Sequence, residues 1–323
     1  MSTGVPKPLR LVADIGGSNA RFGLLRDGAS EPVECRTLPT GDFPNFVDAV
    51  EQYLKLIGSP VVTEAAVAIA NPVTGDAIKM TNQHWAFSTE QARKHLGLDR
   101  LLMLNDFAAL AMSLPKLAAQ DLRQLGGTER IERGPCALLG PGTGLGVSAL
   151  LPAAEGRWVP LSGEGGHITV AAGDDYEAEI IGHLRREFGH VSAERVLSGM
   201  GLCNLYRAVA QLAARSPLTL TPAEITQRGL SGEDPDCAEA LSLFCSLLGN
   251  AAGSLALIIG ARGGVYIGGG IVPRLGDYFH QSKFRARFEA KGRMSEYLIP
   301  IPAYVIHTEN PALLGAAIAL DSP

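Results

Sequence analysis

The sequence predicts an α/β fold, and two observations lead to this prediction. Short apolar segments typical of strands alternate along the chain with longer segments typical of helices. Two pairs of the apolar segments enclose glycine-rich turns, so each pair is predicted to form adjacent strands. In chain order, we predict strands at 9–15, 20–25, 65–70, 101–104, 136–140, 146–151, 264–268 and 303–306.

Helices are predicted from their capping signals. Two segments have the pattern of a capping box, and the second has proline at its first helical position. Another segment is amphipathic and ends at a glycine, and an Asn-Pro pair precedes the last helix. In chain order, the signals are Ser88–Gln91 with an end near Gly97, Asp174–Phe188 closed by Gly189, Thr221–Glu224, and Asn310–Pro311 before a helix from Ala312 to Leu320.

Composition restricts the class of function. A hydrophobic fraction of 46% and a charged fraction of 19% are typical of a soluble globular protein, and 323 residues suffice for two domains. The net charge of −5 argues against nucleic acid as the main partner. The five cysteines have neither zinc-site nor disulfide-framework spacing, so we expect a reducing, cytoplasmic compartment. The first eight residues lack the apolar region of a signal peptide.

The segment 240–261 contains no charged residue and has the length to cross a bilayer. Serine, asparagine and glycine residues interrupt it, however. We therefore expect a buried helix that packs closely through Gly249, Ala252 and Gly253, with a membrane span as the alternative.

The segment Leu11–Leu25 consists of two apolar runs around a tight turn. Glycines in such a turn allow backbone N–H groups to approach an anion, and serine and asparagine side chains add donors. A carboxylate at the end of the first strand could hold a metal ion beside that anion, directly or through water. We interpret the segment as a phosphate-binding hairpin; the alternative is an ordinary turn with a surface aspartate. The residues concerned are Asp14, Gly16, Gly17, Ser18 and Asn19.

A second segment, Cys136–Leu151, repeats this design. Its turn has four glycines and a proline within seven residues, which is more than closing a hairpin requires. Two such loops suggest one phosphate chain held from both sides, the second loop contributing Gly142, Thr143 and Gly144. Neither G-x-x-x-x-G-K-[ST] nor G-x-G-x-x-G occurs, which argues against a P-loop NTPase and a Rossmann dehydrogenase.

Between these loops, the apolar run 101–104 leads directly into Asn105 and Asp106, and a helix is predicted to follow. In open α/β sheets, ligands bind at the carboxyl ends of strands, where this pair would lie. A carboxylate there could accept the proton of an attacking hydroxyl, while Asn105 orients the acceptor. We favour this interpretation over the alternative, in which Asp106 only caps the helix.

Further polar residues follow in and after the glycine-rich segment 161–170. Glu164 and His167 are three residues apart, so both could face one small polar ligand such as a sugar. A metal site is the alternative, but two ligands without a nearby cysteine argue against it. Glu194 is predicted to lie in the first turn of a helix capped by Ser192, where interaction with the helix dipole explains it as well as a ligand role does.

A third glycine cluster, Gly268, Gly269 and Gly270, follows a predicted strand and precedes a predicted helix. A purine and its ribose could approach this bare backbone. Close packing between the strand and the helix is the alternative, and the sequence does not decide between the two.

These motifs together resemble those of the bacterial glucokinases, which are ATP-dependent hexose kinases of the actin/hexokinase/Hsp70-like superfamily. The resemblance extends over nearly the whole chain. One departure is Ser18, where the family usually has threonine, but the hydroxyl is retained. The motifs are, in order, ADIGGSNARFGLL, NPVTGDAIKMTNQHWAFS, LNDFAALA, GPGTGLGV, GEGGHI, HVSAERVLSG, GGVYIGGGIVPR and HTENPALLGAA.

The resemblance implies a two-domain actin-like ATPase fold, also called ribonuclease H-like, with a deep interdomain cleft. Residues 1–115 would form a small α/β domain, completed by a C-terminal helix at 308–323. Residues 116–307 would form a large α/β domain.

The resemblance also implies the chemistry, which is phosphorylation of D-glucose by ATP at the 6-hydroxyl with Asp106 as general base. The implied sugar ligands are Asn105, Asp106, Glu164, His167 and Glu194, which makes Glu194 a sugar ligand. The implied ATP-binding residues are Asp14, Gly16, Gly17, Ser18, Asn19, Gly142, Thr143, Gly144, Gly268, Gly269 and Gly270, with Asp14 holding Mg²⁺ through water.

The expected partners are therefore glucose and ATP, in a cytoplasmic homodimer without nucleic acid, membrane or zinc. Zinc is not expected because the cysteine-rich motif that related repressor/ORF/kinase sugar kinases usually carry after the sugar-site histidine does not occur. The alternatives are a kinase for another hexose, such as mannose, fructose or glucosamine, and a sugar-binding regulator on the same fold. A repressor would need an N-terminal helix-turn-helix, for which too few residues precede the first predicted strand.

Overall fold

The computed structural model describes residues 9–26, 28–29, 31–81 and 83–321, which form two compact units. The first unit combines the described residues up to Leu117 with Ala153–Ser162 and the described residues from Thr308 onward. The second unit consists of Ala118–Pro152 and Gly163–His307. Each unit contains a sheet with helices packed on it, so the predicted α/β class is confirmed.

Every predicted strand is present, and no bound differs from the predicted one by more than three residues. Five further strands are not predicted from the sequence. The strand at Val33–Pro39 is exposed along nearly its whole length and therefore has no apolar pattern, and the other four are short. In chain order the strands are β1 (Leu9–Ile15), β2 (Asn19–Leu25), β3 (Val33–Pro39), β4 (Val62–Ile69), β5 (Ala77–Lys79), β6 (Ala86–Ser88), β7 (Arg100–Asn105), β8 (Leu122–Leu125), β9 (Cys136–Pro141), β10 (Leu145–Pro152), β11 (Trp158–Ser162), β12 (Val265–Ile267) and β13 (Ala303–Ile306).

The helices predicted from Ser88, Asp174, Thr221 and Asn310 are also present, although the capping box predicted at Ser88–Gln91 is not complete. The side chains of Ser88 and Asp174 accept from backbone N–H groups of the following turn, and the capping box of Thr221 and Glu224 is complete. The helices are α1 (Phe46–Leu56), α2 (Thr89–His95), α3 (Asp106–Ser113), α4 (Asp175–Phe188), α5 (Gly199–Leu212), α6 (Pro222–Ser231), α7 (Pro235–Ile259), α8 (Val272–Leu275), α9 (Asp277–Gln281), α10 (Phe284–Glu289), α11 (Ser295–Leu298) and α12 (Pro311–Leu320).

The sheet of the first unit has the strand order β3-β2-β1-β4-β7. Strands β1, β4 and β7 are parallel, and β2 returns antiparallel beside β1. The register places Ile15, Ile69 and Asn105 side by side. The carboxyl ends of the three parallel strands therefore form one edge, which is where ligands bind in sheets of this kind.

Both faces of this sheet are covered. Leu11 and Ala13 of β1 belong to one apolar core, which includes residues of α1, whereas Val12 belongs to another that includes residues of α12. Helix α12 also packs on α3. A Cβ added at Gly315 of α12 would lie 1.6 Å from the carbonyl oxygen of Ala109 in α3, so the two helices approach closely only because residue 315 is glycine.

In the second unit, the strand order is β10-β9-β12-β13-β8. Strands β9, β12 and β13 are parallel, and β10 returns antiparallel beside β9. This unit therefore repeats the arrangement of the first, a hairpin at the side of parallel strands. The turn Gly142–Gly144 leaves β9 and Gly268 follows β12, so both lie at the same edge of the sheet.

Helix α7 lies in the core of the second unit. A Cβ added at Gly249 or Gly253 would lie 2.2 or 2.3 Å from the carbonyl oxygen of Phe284 or Phe288 in α10, and Ala252 is fully buried. The prediction of a buried helix that packs through these three residues is thus confirmed. Among the described residues, α7 is the one helix whose length and hydropathy would also suit a membrane span, a criterion that buried core helices meet as well.

Candidate active site

The first glycine-rich turn is a hairpin loop between β1 and β2. The N–H of Gly16 donates to the carbonyl oxygen of Asn19 at 2.9 Å, and the side chains of Ser18 and Asn19 are exposed. Thr40, from outside the motif, holds this loop: its hydroxyl donates to the carbonyl oxygen of Gly17 (2.7 Å), and its N–H donates to that of Ser18 (3.1 Å). The backbone of the loop is therefore fixed, while its polar side chains remain free to meet a ligand.

Asp14 lies opposite Arg21 in the antiparallel register of β1 and β2. Nη1 of Arg21 donates to Oδ2 of Asp14 at 3.2 Å. Burial raises the pKa of Asp14, and the neighbouring guanidinium partly offsets this rise. Asp14 is thus a largely buried carboxylate at the ligand-binding edge of the sheet, with one cation beside it.

Asn105 and Asp106 join β7 to α3. Asn105 is the N-cap: its Oδ1 accepts from the N–H groups of Phe107 (3.0 Å) and Ala108 (3.2 Å). Asp106 is the first residue of the helix, and its Oδ1 accepts from Nδ2 of Asn105 (3.0 Å) and from the N–H of Phe107 (2.9 Å). The capping role that the sequence offered for Asp106 therefore falls mainly to Asn105, and the Asp106 carboxylate is held in place.

The pKa of Asp106 is raised to about 6. Burial is the main cause and the negative charge of Asp14 adds to it, whereas the N–H of Phe107 and the amide of Asn105 act in the opposite direction. A general base is most effective when its pKa lies near the working pH. Asp106 is therefore suited to accept a proton near neutral pH.

The second glycine-rich turn joins β9 and β10. The N–H of Gly142 donates to the carbonyl oxygen of Gly144 (2.8 Å), and the N–H of Gly199 donates to that of Gly142 (2.9 Å). A Cβ at Gly142 would meet no heavy atom within 4 Å, and Thr143 is exposed. The outer part of this loop is open, whereas a Cβ at Gly144 would collide with the carboxylate of Glu194.

Glu194 does not lie in a helix. Ser192 forms an isolated β-bridge with Thr169, residues 193–197 form bends and turns, and α5 begins at Gly199 with Ser198 as its N-cap, so the prediction of a helix capped by Ser192 is wrong. The helix dipole therefore does not explain Glu194.

The carbonyl oxygens of Glu194 and Arg195, which would continue a helix, accept instead from the hydroxyl of Ser198 and the side-chain amide of Asn204. The backbone around Glu194 also bonds to another segment. The N–H of Ala193 donates to the carbonyl oxygen of Ile168, and the N–H of Glu194 donates to that of Gly166, both at 2.8 Å. On the side chain, Oε2 of Glu194 accepts from the N–H of Leu145 at 2.8 Å. Glu194 is thus tied both to the segment 166–168 and to the start of β10.

Glu164 and His167 lie at the two sides of a 3₁₀ turn at Gly165–His167. Nε2 of His167 is 4.0 Å from Oε2 of Glu164, and the two side chains are 62% and 60% exposed. Because Gly166 bonds to Glu194 and lies against the carbonyl oxygen of Leu145, the structure brings this turn and Glu194 together. The exposed side chains of Glu164 and His167, together with the carboxylate of Glu194 on the segment bonded to their turn, offer groups that suit the hydroxyls of a sugar.

The third glycine cluster continues from β12. The N–H of Gly268 donates to the carbonyl oxygen of Leu139 at 2.8 Å. Gly269 has a φ of +75°, and a Cβ there would lie 2.4 Å from the carbonyl oxygen of Pro141. A Cβ at Gly270 would meet no heavy atom within 4 Å. Close packing therefore explains Gly269, whereas Gly270 is open to a ligand.

The candidate residues divide between the two units. The first unit carries Asp14, Gly16, Gly17, Ser18, Asn19, Asn105 and Asp106. The second carries Gly142, Thr143, Gly144, Glu164, His167, Glu194, Gly268, Gly269 and Gly270. Within the described ranges, no group of three or more His, Cys, Asp or Glu side chains could hold a metal ion.

Sequence reasoning missed Arg21 and Thr40. A signal for Arg21 was present, because a hairpin whose loop is residues 16–19 must pair residue 14 with residue 21. Thr40 gave no signal, since it lies in a different segment and contacts the loop only through the fold.

A hairpin beside parallel strands, present in each of the two units, is the actin-like two-domain ATPase fold that sugar kinases have. The family model for glucokinase matches residues 11–323. The chain is 55% identical over 316 residues to the glucokinase of Aromatoleum aromaticum, covering 97% of this chain and 95% of that one. It is 53% identical over 322 residues to the glucokinase of Chromobacterium violaceum, covering 99% and 92%. The chain belongs to the glucokinase family.

Solved structures share the fold. A glucokinase from an Antarctic psychrotroph is 37% identical, with a TM-score of 0.89 and coverage of 98% of this chain and 99% of that one. A ROK family glucokinase from Streptomyces griseus, solved with glucose and AMPPNP, has a TM-score of 0.60 and coverage of 97% and 98%. At 18% identity, this second likeness concerns the fold alone.

Proposed function

We propose that this chain phosphorylates D-glucose at the 6-hydroxyl with ATP, giving glucose 6-phosphate and ADP. Membership of the glucokinase family supports the reaction. The observation that carries the mechanism is the carboxylate of Asp106, which has a pKa of about 6 and is fixed at the start of α3 on the same sheet edge as Asp14.

Asp106 acts as the general base in this proposal. Its carboxylate accepts the proton of the 6-hydroxyl while that oxygen forms a bond to the γ-phosphorus. The bond between the γ-phosphorus and the bridging oxygen breaks, and ADP leaves. Proton transfer to a positioned base contributes roughly 10²–10⁴-fold, and positioning with charge stabilisation supplies most of the rest.

The sugar is held by hydrogen-bonding side chains from the candidate set. Asn105 orients both the base and a hydroxyl group, and Glu164, His167 and Glu194 bind the other hydroxyls. Their proximity within the second unit supports this assignment, since the turn that carries His167 is bonded to the backbone of Glu194. Charged acceptors make strong hydrogen bonds to hydroxyl groups, so a sugar that lacks one of these hydroxyl groups should bind weakly.

The nucleotide is assigned to the glycine-rich backbone, and its magnesium ion to Asp14. The assigned segments are Asp14–Asn19, Gly142–Gly144 and Gly268–Gly270. Mg²⁺ in proteins usually takes one or two carboxylates together with phosphate oxygens and water, so the single carboxylate of Asp14 fits this ion. When bound, Mg²⁺ neutralises charge on the phosphates. Arg21, which donates to Asp14, partly offsets the rise in the pKa of Asp14 that burial causes, and no zinc ion enters the proposal.

We further propose that the enzyme acts in the cytoplasm as a homodimer and that its product enters glycolysis. The cysteine spacing and the charge balance support a reducing compartment and small-molecule partners rather than nucleic acid.

The test is ADP release from MgATP with a panel of hexoses, for the wild type and for Asp106→Asn. Rapid release with glucose, weak release with its epimers and loss of release in the variant are expected. Faster turnover of mannose, fructose or glucosamine would retain the mechanism and change the substrate. No sugar-stimulated release at all would overturn the proposal in favour of a sugar-binding regulator.

A further inference from the structure

Gly144, at the inner end of the second glycine loop, is packed against the carboxylate of Glu194. A Cβ added at Gly144 would lie 2.4 Å from Oε2 of Glu194 and 3.3 Å from its Cδ. The φ of Gly144 lies outside the left-handed range, so backbone conformation does not require glycine there. What requires glycine is the space that the Glu194 carboxylate occupies.

Gly142, two residues earlier in the same loop, has a different environment. A Cβ at Gly142 would meet no heavy atom within 4 Å, and its φ is also outside the left-handed range. The open space at Gly142 would allow a phosphate to approach the backbone. At Gly144, the carboxylate of Glu194 already occupies the space where a Cβ would lie. The two glycines of one motif therefore serve different purposes.

The carboxylate of Glu194 has little freedom to move away. Its Oε2 accepts from the N–H of Leu145 at 2.8 Å. The backbone is held on both sides, because the N–H of Glu194 donates to the carbonyl oxygen of Gly166 and its own carbonyl oxygen accepts from the hydroxyl of Ser198, both at 2.8 Å. Displacing the carboxylate would break at least the bond to Leu145.

We propose that Gly144 and the N–H of Leu145 are positioning elements for the sugar, because they fix Oε2 of Glu194 and direct Oε1 towards a sugar hydroxyl. The inner end of the loop thus determines sugar binding rather than phosphate binding. This inference rests on the proposed function, since it takes Glu194 as a sugar ligand.

The kinetic test compares Gly144→Ala with Gly142→Ala. Because a misplacement of about 1 Å can cost on the order of 10²-fold, Gly144→Ala is expected to raise KM for glucose at least about tenfold, with KM for ATP within about twofold of the wild type. Gly142→Ala is the comparison within the same loop, and there KM for ATP is expected to rise more than KM for glucose, because Gly142 is assigned to the nucleotide and a Cβ at that residue does not contact Glu194. A Gly144→Ala enzyme with a raised KM for ATP and an unchanged KM for glucose would overturn the inference.

A double-mutant cycle on thermal stability tests the inference without an activity measurement. Gly144→Ala should lower the melting temperature, and adding Glu194→Ala should recover at least half of the loss, because the side-chain atoms that collide are then absent. If Gly144→Ala does not fold, the double variant should. Failure of the double variant to recover would contradict the inference. Absence of glucose-stimulated ADP release by the wild type would instead contradict the proposed function and leave this cycle unaffected.

Discussion

Nδ2 of Asn105 donates to Oδ1 of Asp106 at 3.0 Å while Oδ1 of Asn105 caps helix α3. One side chain thus fixes both the start of the helix and the carboxylate that begins it. The protonation of Asp106 should therefore respond to changes at Asn105 as well as to changes at Asp106 itself.

Asp106→Asn should lower kcat by about 10²–10⁴-fold and leave glucose affinity largely intact. The amide has nearly the shape of the carboxylate and can still accept from the N–H of Phe107, but it cannot take up the proton. Turnover in a coupled ADP assay and glucose affinity by calorimetry measure the two effects separately. Weak glucose binding combined with normal turnover would exclude Asp106 as the base.

The rate should depend on pH through Asp106. Its pKa is raised to about 6, so the carboxylate is ionised above this pH and becomes protonated below it. We expect kcat/KM for glucose to fall about tenfold per pH unit below about pH 6, since this quantity reports the ionisation of the free enzyme. A profile that stays flat down to pH 4.5 (roughly the ordinary carboxyl range) would show that another group, or none, limits the rate.

Asn105→Asp should shift this profile to higher pH. Aspartate remains a good N-cap, so α3 should keep its start, but the amide donor is replaced by a second negative charge beside Asp106. The pKa of Asp106 should rise as a result. Asn105→Ala is the control: it also removes the donor but adds no charge, and it costs about 1 kcal/mol because the cap is lost. Equal pH profiles for the two variants would contradict this explanation.

Asp106→Asn should also stabilise the chain above about pH 6. The pKa of Asp106 is about 6 in the folded chain against an ordinary 3.8, so the folded chain binds the proton more tightly than the unfolded chain does. Stability therefore decreases as the pH rises from about 4 to about 6, and this loss persists at higher pH. Asparagine carries no charge and avoids this loss of stability, so the free energy of unfolding of the variant should be higher by about 3 kcal/mol at most.

Denaturant unfolding of both proteins at several pH values measures this gain. The difference in their free energies of unfolding should grow as the pH rises from about 4, near the ordinary pKa of an aspartate, to about 7, above the pKa of Asp106 in the folded chain. A difference that is constant with pH would indicate a packing effect instead.

Gly315→Ala should destabilise the first unit. The added methyl group would lie 1.6 Å from the carbonyl oxygen of Ala109, so α12 must move away from α3, at a cost of about 1–3 kcal/mol. Gly182→Ala in α4 is the matched control, because a Cβ there meets no heavy atom within 4 Å and alanine favours the helix. Equal unfolding midpoints for the two variants would exclude a close α3–α12 contact.

The strands around the site could be predicted because local signals agree with the fold. In β1 and β7, an apolar run ends directly at polar residues of the candidate site, and the observed bounds of these strands are close to the predicted ones. Asn105 and Asp106 were placed correctly at the end of a strand for this reason.

Local signals failed where contacts distant in sequence decide the structure. The segment after Ser192 has a plausible cap, yet it forms turns, because the carbonyl oxygens of Glu194 and Arg195 accept from the side chains of Ser198 and Asn204 instead of continuing a helix. The reason for a glycine at 144 is likewise not visible in the motif, because it depends on Glu194, fifty residues further along the chain. Spacing alone cannot supply such information.

Helix α12 has a consequence for the order of assembly during synthesis. Domains generally fold as units, the N-terminal one first, while the ribosome adds about 5–20 residues per second. Here the sheet that carries Asp14 and Asn105 emerges early, but one of its faces and helix α3 remain uncovered until residues 311–320 have been made. All of the second unit is complete in the nascent chain by then. Asp106, the proposed base, is thus translated in the first third of the chain, and the packing that supports its helix is among the last to form.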